Sequence, residues 1–318
     1  MRSSANAMKS ARFDLVALGE PLLEFNQTRD GSDQYLQGFG GDTSNCVIAA
    51  ARLGAATAYV TRLGDDAFGR KFLALWQQEG VDASGVAIDA DASTGIYFVT
   101  HSAGGHEFSY LRAGSAASRM RPSDLPLPVI GSTKVLHVSG ISQAISPSAC
   151  DTVFAAIDAA REAGARISFD CNVRPKLWPL PRARAVIAAT MALCDWFLPS
   201  LDEAIQLCGN ERPEEILDWC HAQGAPIVAL KMGRDGVWLS TGDSREHVAG
   251  MRVDAIDATG AGDCFDGAFA ARLIAGDTPL AAARYANAAA ALATTGYGAV
   301  APLPRHGEVT ALLASACL

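Results

Sequence analysis

The stretch DATGAGDCFDGAF, Asp257 to Phe269, sets two glycines and an acid directly ahead of an apolar pattern. Phe265, Phe269 and Leu273 recur at helical spacing, so the segment enters a buried helix rather than serving as a linker. Gly260, Ala261 and Gly262 leave the backbone unshielded where that helix begins. The first N–H groups of a helix have no internal acceptor, and the helix dipole adds partial positive charge there. Glycines let an anion approach those amides closely. Asp263 falls in or near the first turn, where its carboxylate is expected to stay ionised and to point toward whatever the amides hold.

An anion cradle beside a carboxylate suits phosphoryl transfer. The amides stabilise charge on the moving group, and the carboxylate accepts the proton of an attacking hydroxyl. Taken alone, Gly-x-Gly-Asp is more often a capped turn than a catalytic one, so the rest of the chain has to decide.

The chain has 318 residues, 49% hydrophobic and 19% charged, enough apolar material for a substantial core. Formal net charge is -8 and no basic stripe occurs, which argues against nucleic acid as a partner. Eight cysteines include no C-x-x-C pair, so a zinc ribbon is not indicated and free thiols in a reducing cytoplasm are expected. The basic residues of 1–12 precede no apolar run; this segment reads as a disordered leader or expression remnant. No stretch reads as a transmembrane helix.

Short apolar runs alternate with helical patterns along most of the chain: FDLVALG, then a helix from Asp42, then AATAYVTRLG, and from KVLHVSG onward further such pairs. That alternation predicts an α/β fold with a mostly parallel sheet covered on both faces. Residues 93–112 differ. Two β-rich runs flank Gly104-Gly105, a hairpin signal, and alternation sets Phe108, Tyr110 and Arg112 on one face. This hairpin and neighbouring short strands are expected to form a small lid from about 20–40 and 92–113, on a single domain of 13–305. RISFDCNVR reads as a strand with Asp170, Asn172 and Arg174 on one face.

Several nucleotide motifs are absent. No Gly-Lys dipeptide occurs, which excludes a Walker A loop. No His-Arg-Asp catalytic loop is present. GFGGDT and GAGDCFDG fail the dinucleotide fingerprint at its third glycine, and GYGAVA at 296–301 follows a helical pattern rather than a strand.

The full string at 257–269 resembles the C-terminal signature of the ribokinase-like (phosphofructokinase-B) carbohydrate kinases. GGDTSNCVIAAARLG at 40–54 resembles their N-terminal glycine signature, and LGDDAFG at 63–69 the segment after it. The resemblance spans about residues 13 to 305. It implies a three-layer α/β/α fold with a small β-sheet lid, a general base at Asp263 and an anion hole at Gly260, Ala261 and Gly262. YLRAGSAAS at 110–118, DCNVRPKLW at 170–178 and the GFGGDTSN form of the first signature point to the 2-keto-3-deoxygluconate kinases within that family.

By that resemblance the substrate is a sugar acid. Arg112 and Arg174 are expected to read its carboxylate, which suits bidentate guanidinium recognition. Tyr97 and Tyr110 order the sugar, and Gly40, Gly41, Asp42 and Asn45 hold its hydroxyls. Lys231, Gly233 and Gly236 of LKMGRDGVW border the ATP phosphates and ribose, with Thr259 on the same side. Asn287 lies near the adenine, and Asn172 reaches the phosphates or metal-bound water. The family's N-x-x-E, which orders water around Mg²⁺, here reads Ser200-Leu201-Asp202-Glu203, so the Glu is present and the Asn is not. A loop for a monovalent cation such as K⁺ is implied near Asp257, Thr259 and Gly298. Homodimerisation through the lid is expected, since an exposed sheet has edges and an apolar face that pair with a copy. A kinase for a neutral sugar or nucleoside, a non-catalytic sugar-acid sensor and a nicotinamide oxidoreductase are the competing readings.

Overall fold

FDLVAL is apolar at every position but Asp14, the pattern of a strand buried on both faces. In the computed structural model it is β1 (Phe13–Leu18), an interior strand of the larger sheet. The structure describes residues 11–28, 33–102 and 105–315. Most of the leader expected over 1–12 therefore lies outside the described residues, as does Gly104 of the hairpin turn.

After β1 the chain makes β2 (Leu22–Gln27) and β3 (Tyr35–Gly40), then α1 (Asp42–Arg52), β4 (Thr57–Gly64), α2 (Ala67–Glu79) and β5 (Val81–Asp89). The hairpin is β6 (Gly95–Ser102) and β7 (Gly105–Leu111). Short α3 (Leu127–Ile130) leads to β8 (Thr133–Ser139), α4 (Gly140–Ala144), α5 (Pro147–Glu162), β9 (Arg166–Asp170), α6 (Leu180–Met191) and β10 (Trp196–Phe197). Next come α7 (Leu201–Cys208), α8 (Pro213–Ala222), β11 (Ile227–Lys231), β12 (Val237–Ser240) and β13 (Arg245–Val248). The chain closes with α9 (Ala261–Ile274), α10 (Pro279–Ala293) and α11 (His306–Ser315).

The nine-stranded sheet runs β13-β12-β11-β10-β9-β8-β1-β4-β5, parallel except where β12 reverses. Alternation along its strands feeds two cores. Leu15, Ala17 and Val135 face α1, α2, α9 and α10, while Val16, Leu18, Leu136 and Val138 face α5 to α8. Three layers result. From β1 the chain continues outward to β4 and β5 on one side, and β8 to β11 build up on the other. The carboxyl ends therefore part between β1 and β8, where open α/β sheets form a binding crevice.

The second sheet runs β3-β2-β6-β7 and covers the lid segments expected from the sequence. Its hairpin pairs Ile96 with Leu111 and Tyr97 with Tyr110. Strand β5, helix α8 and helix α11 were not read from periodicity. Val309 of α11 is fully buried, so the packed unit continues past 305.

Candidate active site

The crevice starts where β1 hands over to α1. Gly41 precedes α1 at φ 104°, and a Cβ there would lie 2.5 Å from the Glu20 carbonyl oxygen, so only glycine makes this turn. One residue on, Asp42 Oδ2 accepts from Asn172 Nδ2 at 3.0 Å. Asn45, one turn further, donates from Nδ2 to Asp263 Oδ2 at 2.8 Å. Asp42 Oδ1 and Asn45 Oδ1 are buried acceptors with no protein partner. Such atoms are costly unless a ligand satisfies them, and the hydroxyls of a sugar are donors of the right kind.

Opposite α1 lies the start of α9. Gly260 sits at φ 76° against Ala299, whose carbonyl oxygen would be 2.9 Å from an added Cβ. No side chain caps this helix. The Ala261 N–H turns back onto the Ala258 carbonyl at 3.2 Å. The anion hole expected at 260–262 therefore has one amide already engaged. A Cβ on Gly262 would find only Lys231 Nζ, 3.6 Å away, so open space edged by an ammonium covers this end of the helix.

Asp263 departs from the ionised state expected of a helix N-terminus. Burial, then the nearby Asp42 charge, push its carboxyl up to about 7, against the pull of the Asn45 hydrogen bond. Desolvation and like charge outweigh the dipole. Beneath it, Lys231 Nζ is 3.0 Å from Asp266 Oδ1 and 3.3 Å from Asp170 Oδ2. Burial alone would lower this lysine, but Asp170 and Asp266 hold it above its ordinary range, so the ammonium stays charged.

Strand β9 ends at Asp170, so Asn172 is not on a strand face with Asp170 and Arg174. Asn172 has φ 34°, left-handed backbone that asparagine tolerates better than most residues. This twist turns its amide toward Asp42. Half-exposed Arg174 pairs with Glu203 Oε1 at 3.1 Å. Glu203 also closes a capping box with Ser200, the N-cap of α7. Ser200 thus has a helix-capping job where the resemblance implied a nucleotide-side contact.

The lid adds a buried ion pair. Arg112, just past β7, donates from Nε to Glu20 Oε2 at 2.7 Å, and its Nη2 meets the same oxygen. Ser115 donates to the other Glu20 oxygen. Tyr97 rests on Gly40, where a Cβ would lie 2.6 Å from the phenol oxygen, and gives its hydroxyl proton to Glu24. Tyr110 stacks on Tyr97 with ring centroids 5.8 Å apart.

On the far side of Lys231, the β11–β12 turn carries Gly233 at φ 57°, where an added Cβ would meet nothing, and Gly236 at φ 97°, where it would strike the Val248 carbonyl at 2.0 Å. Only the first opens space for a ligand. Asn287 is buried and donates to the Ala249 carbonyl at 2.6 Å. Asp257 accepts from Thr259 N and Oγ1 on one oxygen and from Gly298 N on the other, at 2.9, 2.6 and 3.0 Å. These contacts organise the loop that opens α9.

The sequence profile of the pfkB family carbohydrate kinases matches residues 12–306 of this chain. The chain belongs to the pfkB family of carbohydrate kinases. It is 35% identical to 2-dehydro-3-deoxygluconokinase from Thermoproteus tenax, over 94% of each chain. It is 33% identical to fructokinase-1 of Zea mays, over 97% of this chain and all of the relative. Among solved structures, fructokinase from Vibrio cholerae O395, in a fructose-, ADP- and calcium-bound form, superposes with a TM-score of 0.86 at 32% identity, covering 94% of this chain and 99% of that one.

The pfkB kinase site also holds residues that motif reading passed over. Glu20 lies between the apolar strands β1 and β2, Glu24 interrupts the apolar run PLLEF, and Asp266 follows Asp263 at i+3 on an apolar helix. All three are buried, at 1%, 3% and 1% exposure. An acid where periodicity demands an apolar residue was the available signal.

Proposed function

We propose that this pfkB kinase transfers the γ-phosphoryl group of ATP to the C6 hydroxyl of 2-keto-3-deoxygluconate. The observation that carries the chemistry is Asp263 at the uncapped start of α9, with its carboxyl near 7 and its orientation fixed by Asn45. The substrate hydroxyl oxygen bonds to the γ-phosphorus, the bond to the β,γ-bridging oxygen breaks, and ADP leaves. The hydroxyl proton passes to Asp263. Open amides at the start of α9 and the Lys231 ammonium offset charge on the moving group.

Asp42 and Asn45 present unpartnered acceptors to the sugar hydroxyls. Gly40 and Gly41, directly ahead of Asp42, are assigned to the same hydroxyls, with Tyr97 and Tyr110 of the lid ordering the sugar. Arg112 keeps N–H groups beyond those bound to Glu20, and Arg174 is half-exposed beside the crevice, so both are assigned to the sugar carboxylate. Gly233, Gly236, Thr259, Asn172 and Asn287 are assigned to the nucleotide side.

Asp170, Cys171 and Glu203 offer donor atoms within 4.8 Å of one another. A thiol among them, with both carboxylates already paired to cations, does not make an oxygen cage for Mg²⁺. The metal is therefore assigned to the nucleotide phosphates, with Glu203 contacting it through water. A K⁺ at the loop of Asp257, Thr259 and Gly298 belongs to the same proposal. Seven unpaired cysteines among the described residues suit a reducing compartment, and the cytoplasm is the proposed location.

A neutral sugar is the second reading, because Glu20 compensates the Arg112 charge and relatives of both activities match at comparable identity. ADP release over 2-keto-3-deoxygluconate, its galactonate epimer, fructose, ribose and a nucleoside tests the two. The acid reading predicts the highest kcat/KM for a keto-deoxy acid, with a loss of about 10²-fold in Arg112→Ala, the scale of an ionic hydrogen bond. Fructose as the best substrate, with Arg112→Ala harmless, would sink the acid reading.

A further inference from the structure

Arg52 ends α1, one helix length or about 15 Å from Asp42 at its start. It has no part in the chemistry proposed for Asp263, yet its guanidinium is hydrogen-bonded through all three nitrogens. Nε and Nη2 donate to the two oxygens of Glu79, at the end of α2, at 2.9 and 2.7 Å. Nη1 donates to the carbonyls of Val300 and Leu303 at 3.0 and 2.5 Å. Both side chains of the ion pair are 11% exposed, and Val300 and Leu303 are buried.

The segment so gripped has a second face. Its Gly298 N–H binds Asp257, and its Ala299 packs on Gly260, leaving no room there for a Cβ. One planar fork thus ties two helix ends to the strip of backbone that backs the start of α9. We infer that Arg52 is a positioning residue for phosphoryl transfer: with Glu79 it holds the 298–303 segment against Gly260 and so sets where the open amides of α9 point. The inference rests on the reading of that helix start as the phosphoryl site. Lysine cannot replace the fork, because one ammonium cannot face a carboxylate edge and two carbonyls at once.

Arg52 itself lines an open pocket of about 670 Å³, together with Thr295, Ala301 and Arg305. Added guanidinium ion can therefore enter the hole left by Arg52→Ala. The test compares Arg52→Ala, Arg52→Lys and Glu79→Gln with Asp263→Asn, using the best sugar of the panel, on protein whose folding is checked by thermal denaturation. We expect kcat of Arg52→Ala to fall about 10–100-fold, the scale of a misplacement of roughly 1 Å, with sugar KM nearly unchanged. Millimolar guanidinium should restore much of kcat in Arg52→Ala and none in Asp263→Asn. Normal kcat in folded Arg52→Ala, or a loss that only tracks unfolded protein, would overturn the clamp while leaving the site intact. Normal turnover in Asp263→Asn would instead overturn the site, and the clamp with it. If Arg52→Ala does not fold, Arg52→Lys and Glu79→Gln decide by the same split between kcat and KM.

Discussion

An acid at a helix N-terminus is ordinarily held ionised by the dipole, and Asp263 goes the other way. Its carboxyl is near 7 because burial and Asp42 outweigh the amides. A base must be unprotonated to act, so activity is full above this value and falls as pH drops through it. In a pH profile of kcat/KM, the acid limb should turn near 7 and then drop about tenfold per unit. The Asn45 hydrogen bond lowers the value, so Asn45→Ala should move that limb to higher pH. An unmoved limb would assign it to another group. Asp263→Asn should cut kcat by about 10²–10⁴ above pH 7, the usual range for a lost general base, with the gap closing at lower pH where the wild-type carboxyl is protonated; near-normal turnover above pH 7 would remove Asp263 from the chemistry. The residue types of this site were legible, and their partners were not. The sequence puts Arg112 at a strand end and, by resemblance, on the sugar carboxylate, whereas its charge is already matched by Glu20, 92 positions away.

Elements were read best where capping and periodicity agree. The helix expected from Asp42 is α1, which starts at that residue, just after Gly41. Strand β9 was read too long, because DCNVR continues to look extended until Asn172 takes a positive φ to reach Asp42. Ser200 shows how an element reassigns a residue. It caps α7 in a reciprocal box with Glu203. Ser200→Ala should cost about 1 kcal/mol, lowering the melting temperature by roughly 1–3 °C in a protein of this size, with kcat changed less than about twofold. Differential scanning calorimetry and steady-state rates measure both. A large loss of kcat without a melting shift would return Ser200 to the nucleotide.

For the molecule as a whole, the parting of strand ends between β1 and β8 explains why one crevice gathers residues from 20 to 263. The lid sheet rises from the same edge, and its outer strands leave Leu36 and Leu111 at 67% and 64% exposure. Exposed apolar residues on unpaired strand edges favour pairing with a second copy. Light scattering is expected to give twice the chain mass, and Leu36→Lys with Leu111→Lys to give the monomer. A wild-type monomer at micromolar concentration would dismiss the lid interface. A sheet covered on both faces followed from the alternation of patterns, while α11 lies past the 13–305 span to which the resemblance extends.

The sequence by itself determined the layer order, the glycine-flanked start of α9 and membership in the pfkB kinases, because periodicity, turn chemistry and signature strings act over a few neighbouring residues. Only the tertiary structure decided the protonation of Asp263, the pairing of Arg112 and the anchoring of the 298–303 segment by Arg52. Those depend on burial and on charges that folding draws together, as when Asn45 meets Asp263 across 218 positions of chain. Desolvation and long-range hydrogen bonds exist only once the strand ends have met.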